Sequence, residues 1–533
     1  GGPAAGQEAG IGVPVGTFPQ WLRCPFCGLL APVDTGLFSF RSNPYRLDRI
    51  EWVHEGCPKV NKPVAIASRF VVACDQGHLD DFPWRYYVHK GASDCKEPLE
   101  FYEVGASLEN ANLFVQCGCG KKRSMADAFG PRAKEALPDC RGRHPHLGTF
   151  GRCEAPIRTL LLGASNGWFP ETISVLAVPT EGTRLEQLVE ENWDDLKGMP
   201  TLETLNWYRS TSGMVAFVDF SDEAIWGAVE SKRNEPEDPA AEDDYDLKRP
   251  EWQAFMKGEN HGEHLKDFRL TLGDVPEGYA DVIDCVVRVD RLREVNALTG
   301  FTRISPPEEM TDETGKRFRA PISSEKPTFA PASEVRGEGL FIAFKTDVLE
   351  SWAQDPAVRV KEDRLFEAHR EWRSSRHLEP LEAGFPGSIY SVLHTFAHAL
   401  MREISLECGY NAASVRERIY APKYGEPVSM AGILVYTAAP DSEGTLGGLV
   451  ALGEPEELGR LITQALRAAK LCSSDPLCSE HDPVRDKSLH GAACHACMFA
   501  PETSCERGNR YLDRALLVPS WAEKNAALFG GTG

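Results

Sequence analysis

The chain has 533 residues, of which 42% are hydrophobic and 26% charged, and a formal charge of −21. That length and apolar share suit two to four globular domains and exclude a chain disordered throughout. The acidic excess excludes nucleic-acid binding through a globally positive surface, and no window of 18 uninterrupted apolar residues is available to span a bilayer.

The opening stretch "GGPAAGQEAGIGVPVGTFPQW" lacks the basic and apolar regions of a signal peptide. A soluble, cytoplasmic protein without membrane attachment is expected. In that reducing compartment disulfides are rare, so 16 cysteines point to metal. They gather at the two ends of the chain, with only Cys285 and Cys408 between.

"CPFC" supplies Cys24 and Cys27, and "HEGC" supplies His54 and Cys57. Two thiolates or a thiolate and an imidazole at this spacing meet one tetrahedral Zn²⁺ from a single tight turn, as in zinc ribbons. Cys74 competes with His54 for the fourth place. "RFVVAC" is a short apolar run suited to a buried strand. After it, "GHLDD" offers His78, Asp80 and Asp81 as a rival cluster for a hydrolytic metal, unless Asp81 simply caps a turn. Trp52, Phe82, Trp84 and Tyr86 can either stack on bases or fill the core of a small lobe. Cys117, Cys119, Cys140 and Cys153 make a second candidate zinc set, with Cys95 or His144 as substitutes. The bland alternative is a group of buried thiols acting as small hydrophobes. Lys121, Lys122 and Arg123, with Arg141 and Arg143, sit beside these cysteines and are candidate DNA-phosphate contacts, although a three-residue basic run is more commonly a solvated face.

The acidic stretch "NEPEDPAAEDDYD", residues 234–246, reads as a solvated linker or insertion. "GLFIAF" and "AGILVYTAAP" are further strand candidates, the second ending in the glycine-rich turn "DSEGTLGGL". That turn is not a P-loop: G-x-x-x-x-G-K-[ST] occurs nowhere, so no ATP site is expected. "HTFAHALMRE" places His394 and His398 one helical turn apart, but Thr395 stands where a zincin has its catalytic Glu. Ile389, Leu393, Phe396 and Leu400 form a core stripe beside them, so both histidines are read as buried and hydrogen-bonded. "EPEELGRLITQALRAAKLC" is an amphipathic helix with Leu458, Leu461, Ile462, Leu466 and Ala469 on one face. In the late cysteine run, Cys494 and Cys497 form a C-x-x-C knuckle that Cys478 and Cys505 would complete, with Cys472 or His495 in reserve. Four thiolates leave zinc no open position, so this site is expected to be structural.

The expected architecture is mixed α/β and multi-domain: a cysteine-rich region 1–160 with zinc-ribbon-like modules, a central α/β region 161–330 carrying the acidic insertion, and an α/β domain 331–533 with a four-cysteine zinc site. Two or three structural Zn²⁺ ions are expected.

"RFVVACDQGHLDDFPWRYYVH", "LREVNALTGFTRISPP", "GYNAASVRERIYA", "VYTAAPDSEGTLGGL" and "CSSDPLCSEHDP…GAACHACMFAPETSCERGNRYLDRALL" together resemble the DrmB family of the DISARM bacterial anti-phage systems. The last segment is similar to the four-cysteine zinc-binding domain of MrfA-type superfamily 2 helicases. Val60 departs from a double-knuckle ribbon, standing where a second C-x-x-C cysteine would be. The resemblance implies a non-catalytic subunit that accompanies a DrmA-type superfamily 2 helicase and meets foreign DNA through that complex.

Overall fold

The structure, a computed structural model, describes residues 16–530 except 43–45, 47–49, 105–111, 179–182, 213–214, 219, 234–245, 259–266, 307–318, 377 and 438–447. The acidic stretch, apart from Asp246, and the glycine-rich turn through residue 447 lie outside the described residues. The chain divides into two units, one of residues 1–173 and 297–331, the other of 174–296 and 332–533. The segment 161–330, expected as one region, is thus shared between them.

The first unit is built from short antiparallel strands: β1 (Trp21–Arg23), β2 (Leu29–Pro32), β3 (Ser39–Arg41), β4 (Glu51–Val53), β5 (Val64–Ala67), β6 (Phe70–Ala73), β7 (Leu79–Asp81), β8 (Leu99–Glu103), β9 (Leu113–Cys117), β10 (Lys122–Ser124), β11 (Arg143–His144), β12 (Thr149–Phe150) and β13 (Arg158–Leu161). Eight of them form one sheet in the order β10-β9-β8-β2-β1-β5-β4-β3, and β13-β6-β7 form another. The apolar run around Phe70 makes β6, buried along its whole length as a central strand should be. Phe70, Phe82, Trp84, Tyr87 and Phe101 fill one core. Phe82 and Trp84, at 0% and 1% exposure, are packing residues with no face left for a base. Strands of two to five residues each bury little surface, so this unit depends on the aromatic core they share and on the turns that join them.

The second unit holds a six-stranded sheet of β14 (Phe169–Leu176), β15 (Arg269–Gly273), β16 (Ile283–Thr302), β17 (Ala332–Phe344), β18 (Val415–Tyr420) and β19 (Gly432–Thr437). The order is β14-β16-β17-β19-β18, with β15 paired to β16. β14 and β16 carry the chain from one unit to the other. The helix Gly387–Cys408 packs on β18, β19 and the helix Pro455–Lys470. Leu393, Phe396 and Leu400 are fully buried as their stripe implied, but so are the residues between them, so this helix is a core rod rather than a surface one. Gly409, at φ 67°, ends it in the left-handed conformation that caps helices. The helix 455–470 buries the expected stripe together with Ala465. It has Pro455 in its first turn, Glu456 and Glu457 near its positive end, and Arg467 and Lys470 near its negative end. Among the described residues no helix is long and apolar enough to cross a membrane.

Candidate metal centres

Four ligands on a tetrahedral Zn²⁺ with Zn–S near 2.3 Å place two sulfurs about 3.8 Å apart, and a sulfur and an imidazole nitrogen about 3.6 Å apart. These edge lengths are the yardstick for each cluster.

At the first, the β1–β2 turn presents Cys24 and Cys27, and the segment after β4 presents His54 and Cys57; all four donor atoms lie within 4.8 Å of one another. Cys24 Sγ is 3.8 Å from Cys57 Sγ, and Cys27 Sγ is 3.6 Å from His54 Nδ1. The backbone closes the knuckle, Gly28 N–H donating to the Cys24 carbonyl at 3.0 Å. Burial pushes the Cys27 thiol up to about 11 without a metal, and a cation would reverse that. His54 holds the fourth place, while Cys74 is elsewhere.

The expected second N-terminal set divides in two. Cys117 and Cys119 sit in the β9–β10 turn and meet His89 and Cys95. Cys95 and Cys117 are 3.6 Å apart, and Cys119 Sγ is 3.5 Å from His89 Nε2. His89 Nδ1–H donates to the Arg85 carbonyl at 2.7 Å, which leaves the Nε2 lone pair facing the thiols. Arg85 also holds the loop that delivers Cys95, donating to its carbonyl at 2.7 Å. The Lys121 backbone amide, then Cys117 and His89, bring the exposed Cys119 thiol down to about 6.

Cys140 and Cys153 flank the β11–β12 hairpin instead, and join Cys74 and His78 from the β6–β7 turn. Cys74 Sγ is 3.3 Å from His78 Nδ1. Hydrogen bonding, first from Cys140 and then from His78, holds the Cys74 thiol down to about 4. The hairpin needs Gly142: at φ 67° a Cβ there would stand 2.0 Å from the Gly151 carbonyl oxygen. The separation has a simple cause: Cys117 ends a strand of the eight-stranded sheet and Cys119 follows it in the turn, whereas Cys140 and Cys153 bracket a hairpin packed on β7. His144 is outside the donor set, its ring 4.5 Å from that of His78.

In the second unit, Cys472, Cys478, Cys494 and Cys497 converge. Cys472–Cys494, Cys478–Cys497 and Cys494–Cys497 are 3.5, 3.7 and 3.7 Å apart. The Cys497 thiol and then the Arg514 guanidinium bring Cys478 down to about 5. Arg514, fully buried, also donates to the Ala469 and Lys470 carbonyls at 3.1 Å and pairs with Asp475, which accepts from the Cys472 amide at 2.9 Å. Cys505, expected as the fourth ligand, lies outside this cluster, and Cys472, held in reserve, stands in it. A hydrogen bond holds Cys505 against His394 instead, at 3.1 Å. His495 is exposed and packs on Phe499.

The rival hydrolytic cluster is differently occupied. His78 belongs to the cysteine cluster above, and the two carboxylates are taken by arginines. Arg143 Nη1 reaches Asp80 at 2.8 Å and Asp81 at 2.7 Å, and Arg141 reaches Asp80 at 2.7 Å. Asp81 also accepts from the Gln20 and Trp21 amides at 2.7 and 3.1 Å. Of the basic residues, Arg123 pairs with Asp127 at 3.3 Å and donates to the Tyr87 carbonyl at 3.1 Å. Lys122 lies 4.2 Å over the Phe114 ring, and Lys121 and Lys122 are both exposed.

The donor residues of these clusters that spacing did not bring forward are His89 and the pairing of Cys74 with His78. The second had a readable signal, four residues apart across a glycine-containing turn. The first had none, because His89 ends the helix Trp84–His89 and meets its partners only through the sheet.

Residues 2–169, which contain all three N-terminal clusters, match a domain of unknown function (DUF8724). Residues 396–498 match the MrfA Zn-binding domain, a span that holds Cys472, Cys478, Cys494 and Cys497 but not Cys505. A crystal structure of the DUF1998 helicase MrfA bound to DNA aligns with 41% of this chain and 22% of that one, at 12% identity and a TM-score of 0.20, too low to carry an argument. The chain is 34% identical over 504 residues, 93% of its length and 88% of the relative's, to the DISARM protein DrmB of Bacillus paralicheniformis. Identity of that extent places it in a family: the chain belongs to the DrmB family of DISARM proteins.

Proposed function

We propose that this chain is a zinc-stabilised, non-catalytic subunit of a DISARM anti-phage complex, one that docks onto a DrmA-type superfamily 2 helicase and assists its engagement of foreign DNA. The observation that carries the reading is the likeness to DISARM protein DrmB along nearly the whole chain. Four clusters of cysteine and histidine, each with four donors, support the structural role, because a full tetrahedron leaves zinc no position for a substrate or a reacting water. On this reading each of the four takes one Zn²⁺. The pairing of Asp80 and Asp81 with arginine weighs against hydrolysis at that cluster. Direct phosphate contact falls to Lys121 and Lys122, both exposed beside the Cys117–Cys119 turn.

The test is co-purification of the full chain with its helicase, followed by DNA binding over a salt series. Expected are a stable complex and an affinity that falls with salt; replacing both lysines (Lys121→Glu with Lys122→Glu) should reduce the logarithmic salt slope by about 2, roughly 0.9 per phosphate contact. Unchanged salt dependence in that variant would remove the two lysines from the DNA contact, and a full chain that joins the helicase but shows no salt-sensitive DNA binding of its own would be a protein-only scaffold. Metal-dependent DNA cleavage by the chain alone would replace the proposal with a nuclease.

A further inference from the structure

Three segments of the second unit converge on a buried polar cluster apart from the four cysteines. His394 and His398 of the helix 387–408, Glu417 of β18 and Cys505 bring four donor atoms within 4.8 Å of one another. His394 Nε2 is 2.9 Å from Glu417 Oε1 and 3.1 Å from Cys505 Sγ, and His398 Nε2 is 3.4 Å from the same Glu417 oxygen. The side chains of His394, His398 and Glu417 are 0% exposed.

A carboxylate taken wholly out of water costs several kcal/mol unless positive charge meets it. Among the described residues no lysine or arginine forms an ion pair with Glu417; the two imidazoles are its partners. The hydrogen bonding is incomplete in an informative way. His398 Nδ1–H donates to the Met498 carbonyl at 2.7 Å, so the neutral ring turns its Nε2 lone pair toward the carboxylate. That Nε2 and Glu417 Oε2 are both buried without a hydrogen-bond partner. In a dry site that ring and the carboxylate, 3.4 Å apart at Nε2 and Oε1, repel unless a proton or a metal cation lies between them. The outer contacts favour the anionic forms: the Glu506 amide donates to Glu417 Oε1 at 3.2 Å, and the Asn509 amide to Cys505 Sγ at 3.1 Å. One carboxylate, one thiolate and two neutral imidazoles cancel the charge of a divalent cation exactly once, and their N, O and S donors suit zinc.

We propose that His394, His398, Glu417 and Cys505 bind a further Zn²⁺, a closed structural site that ties the core helix to β18 and to the loop following the four-cysteine cluster. His394 and Cys505 fall outside the matched span 396–498, so the site is additional to the four-cysteine set. It also gives Cys505 a role that the knuckle spacing alone assigned elsewhere.

The direct test uses crystals of the unaltered full chain, prepared without chelator, with anomalous diffraction collected above and below the zinc edge. The expected result is a zinc peak bonded to these four side chains, alongside peaks at the cysteine clusters. Peaks at the cysteine clusters with none here would overturn the proposal. In solution, Glu417→Gln and Cys505→Ser should each lose one zinc per chain by elemental mass spectrometry while keeping those of the other clusters. Unchanged zinc in both variants would equally overturn it. Where a variant does not fold, the diffraction arm on the unaltered chain decides.

Discussion

Cys472 Sγ lies 3.5 Å from Cys494 Sγ, the contact that closes the four-cysteine cluster across 22 residues of chain. Its consequence separates two cysteines that look equivalent in sequence. Cys472→Ser should remove the zinc of the four-cysteine cluster, whereas Cys505→Ser should leave that ion in place. Substitution of Co²⁺ for zinc reads this directly: the visible band of a four-thiolate cobalt centre should vanish in the Cys472 variant and persist in the Cys505 variant. Loss of that band in the Cys505 variant alone would restore Cys505 as the fourth ligand.

Arg143 is held between Asp80 and Asp81, with side-chain exposures of 11%, 11% and 7%. Removing one partner of a buried charge pair is costlier than never having built it, because the remaining charges stay desolvated. Arg143→Ala should therefore destabilise the first unit by about 3–5 kcal/mol. Zinc content should not change, since neither aspartate is a cluster ligand. Thermal unfolding with parallel metal analysis checks both halves; metal loss in the variant would mean the carboxylates support the ion after all.

How much of this was legible in the sequence depended on how local each signal is. The mixed α/β, multi-domain character and the cysteine clusters at both ends follow from composition and spacing. The helix 455–470 could be read because its apolar period is carried within one element. Cys24 with Cys27, and Cys494 with Cys497, share single turns, so their spacing alone brings them together. The division of Cys117 and Cys119 from Cys140 and Cys153 could not be read. It depends on which strand neighbours which in a sheet ordered β10-β9-β8-β2-β1, a long-range property with no local period. The same holds for Glu417, an ordinary-looking residue between two arginines of a short strand, whose partners lie on a helix and in a distant loop.

His369 offers a pH test away from the metal clusters. It is buried on the helix Pro356–Ser374, with Nε2–H donating to the Ala383 carbonyl at 3.1 Å and Nδ1 accepting from the Tyr511 hydroxyl at 2.8 Å. Burial first, then the nearby Arg373 and Arg507, lower its pKa from 6.5 to about 4. Between those values the unfolded chain takes up a proton that the folded chain refuses, so stability falls as the pH drops through this window. One proton accounts for at most about 1.4 kcal/mol per pH unit. His369→Gln should be less stable than the parent at pH 7, and the gap should narrow as the solution is brought toward pH 5. A gap that widens on acidification would show the ring to be charged in the fold.

Zinc removal should reach beyond the loop that binds it. The helix 387–408 is joined to the C-x-x-C turn by Arg402, which donates to the Ala496 and Cys497 carbonyls at 2.7 and 3.0 Å, and by His398 on the Met498 carbonyl at 2.7 Å. Cys478, Cys497 and Met498 also belong to the same apolar core as Leu393, Phe396 and Leu400. Metal binding to such a site is folding free energy, so its loss is shared by whatever packs on it. Stripping zinc with a chelator should raise amide hydrogen exchange across 387–408 as well as across 472–505, and returning zinc should restore protection in both. Loosening confined to 472–505 would show that the core helix is held by its apolar packing alone, and that the cluster staples only its own loop.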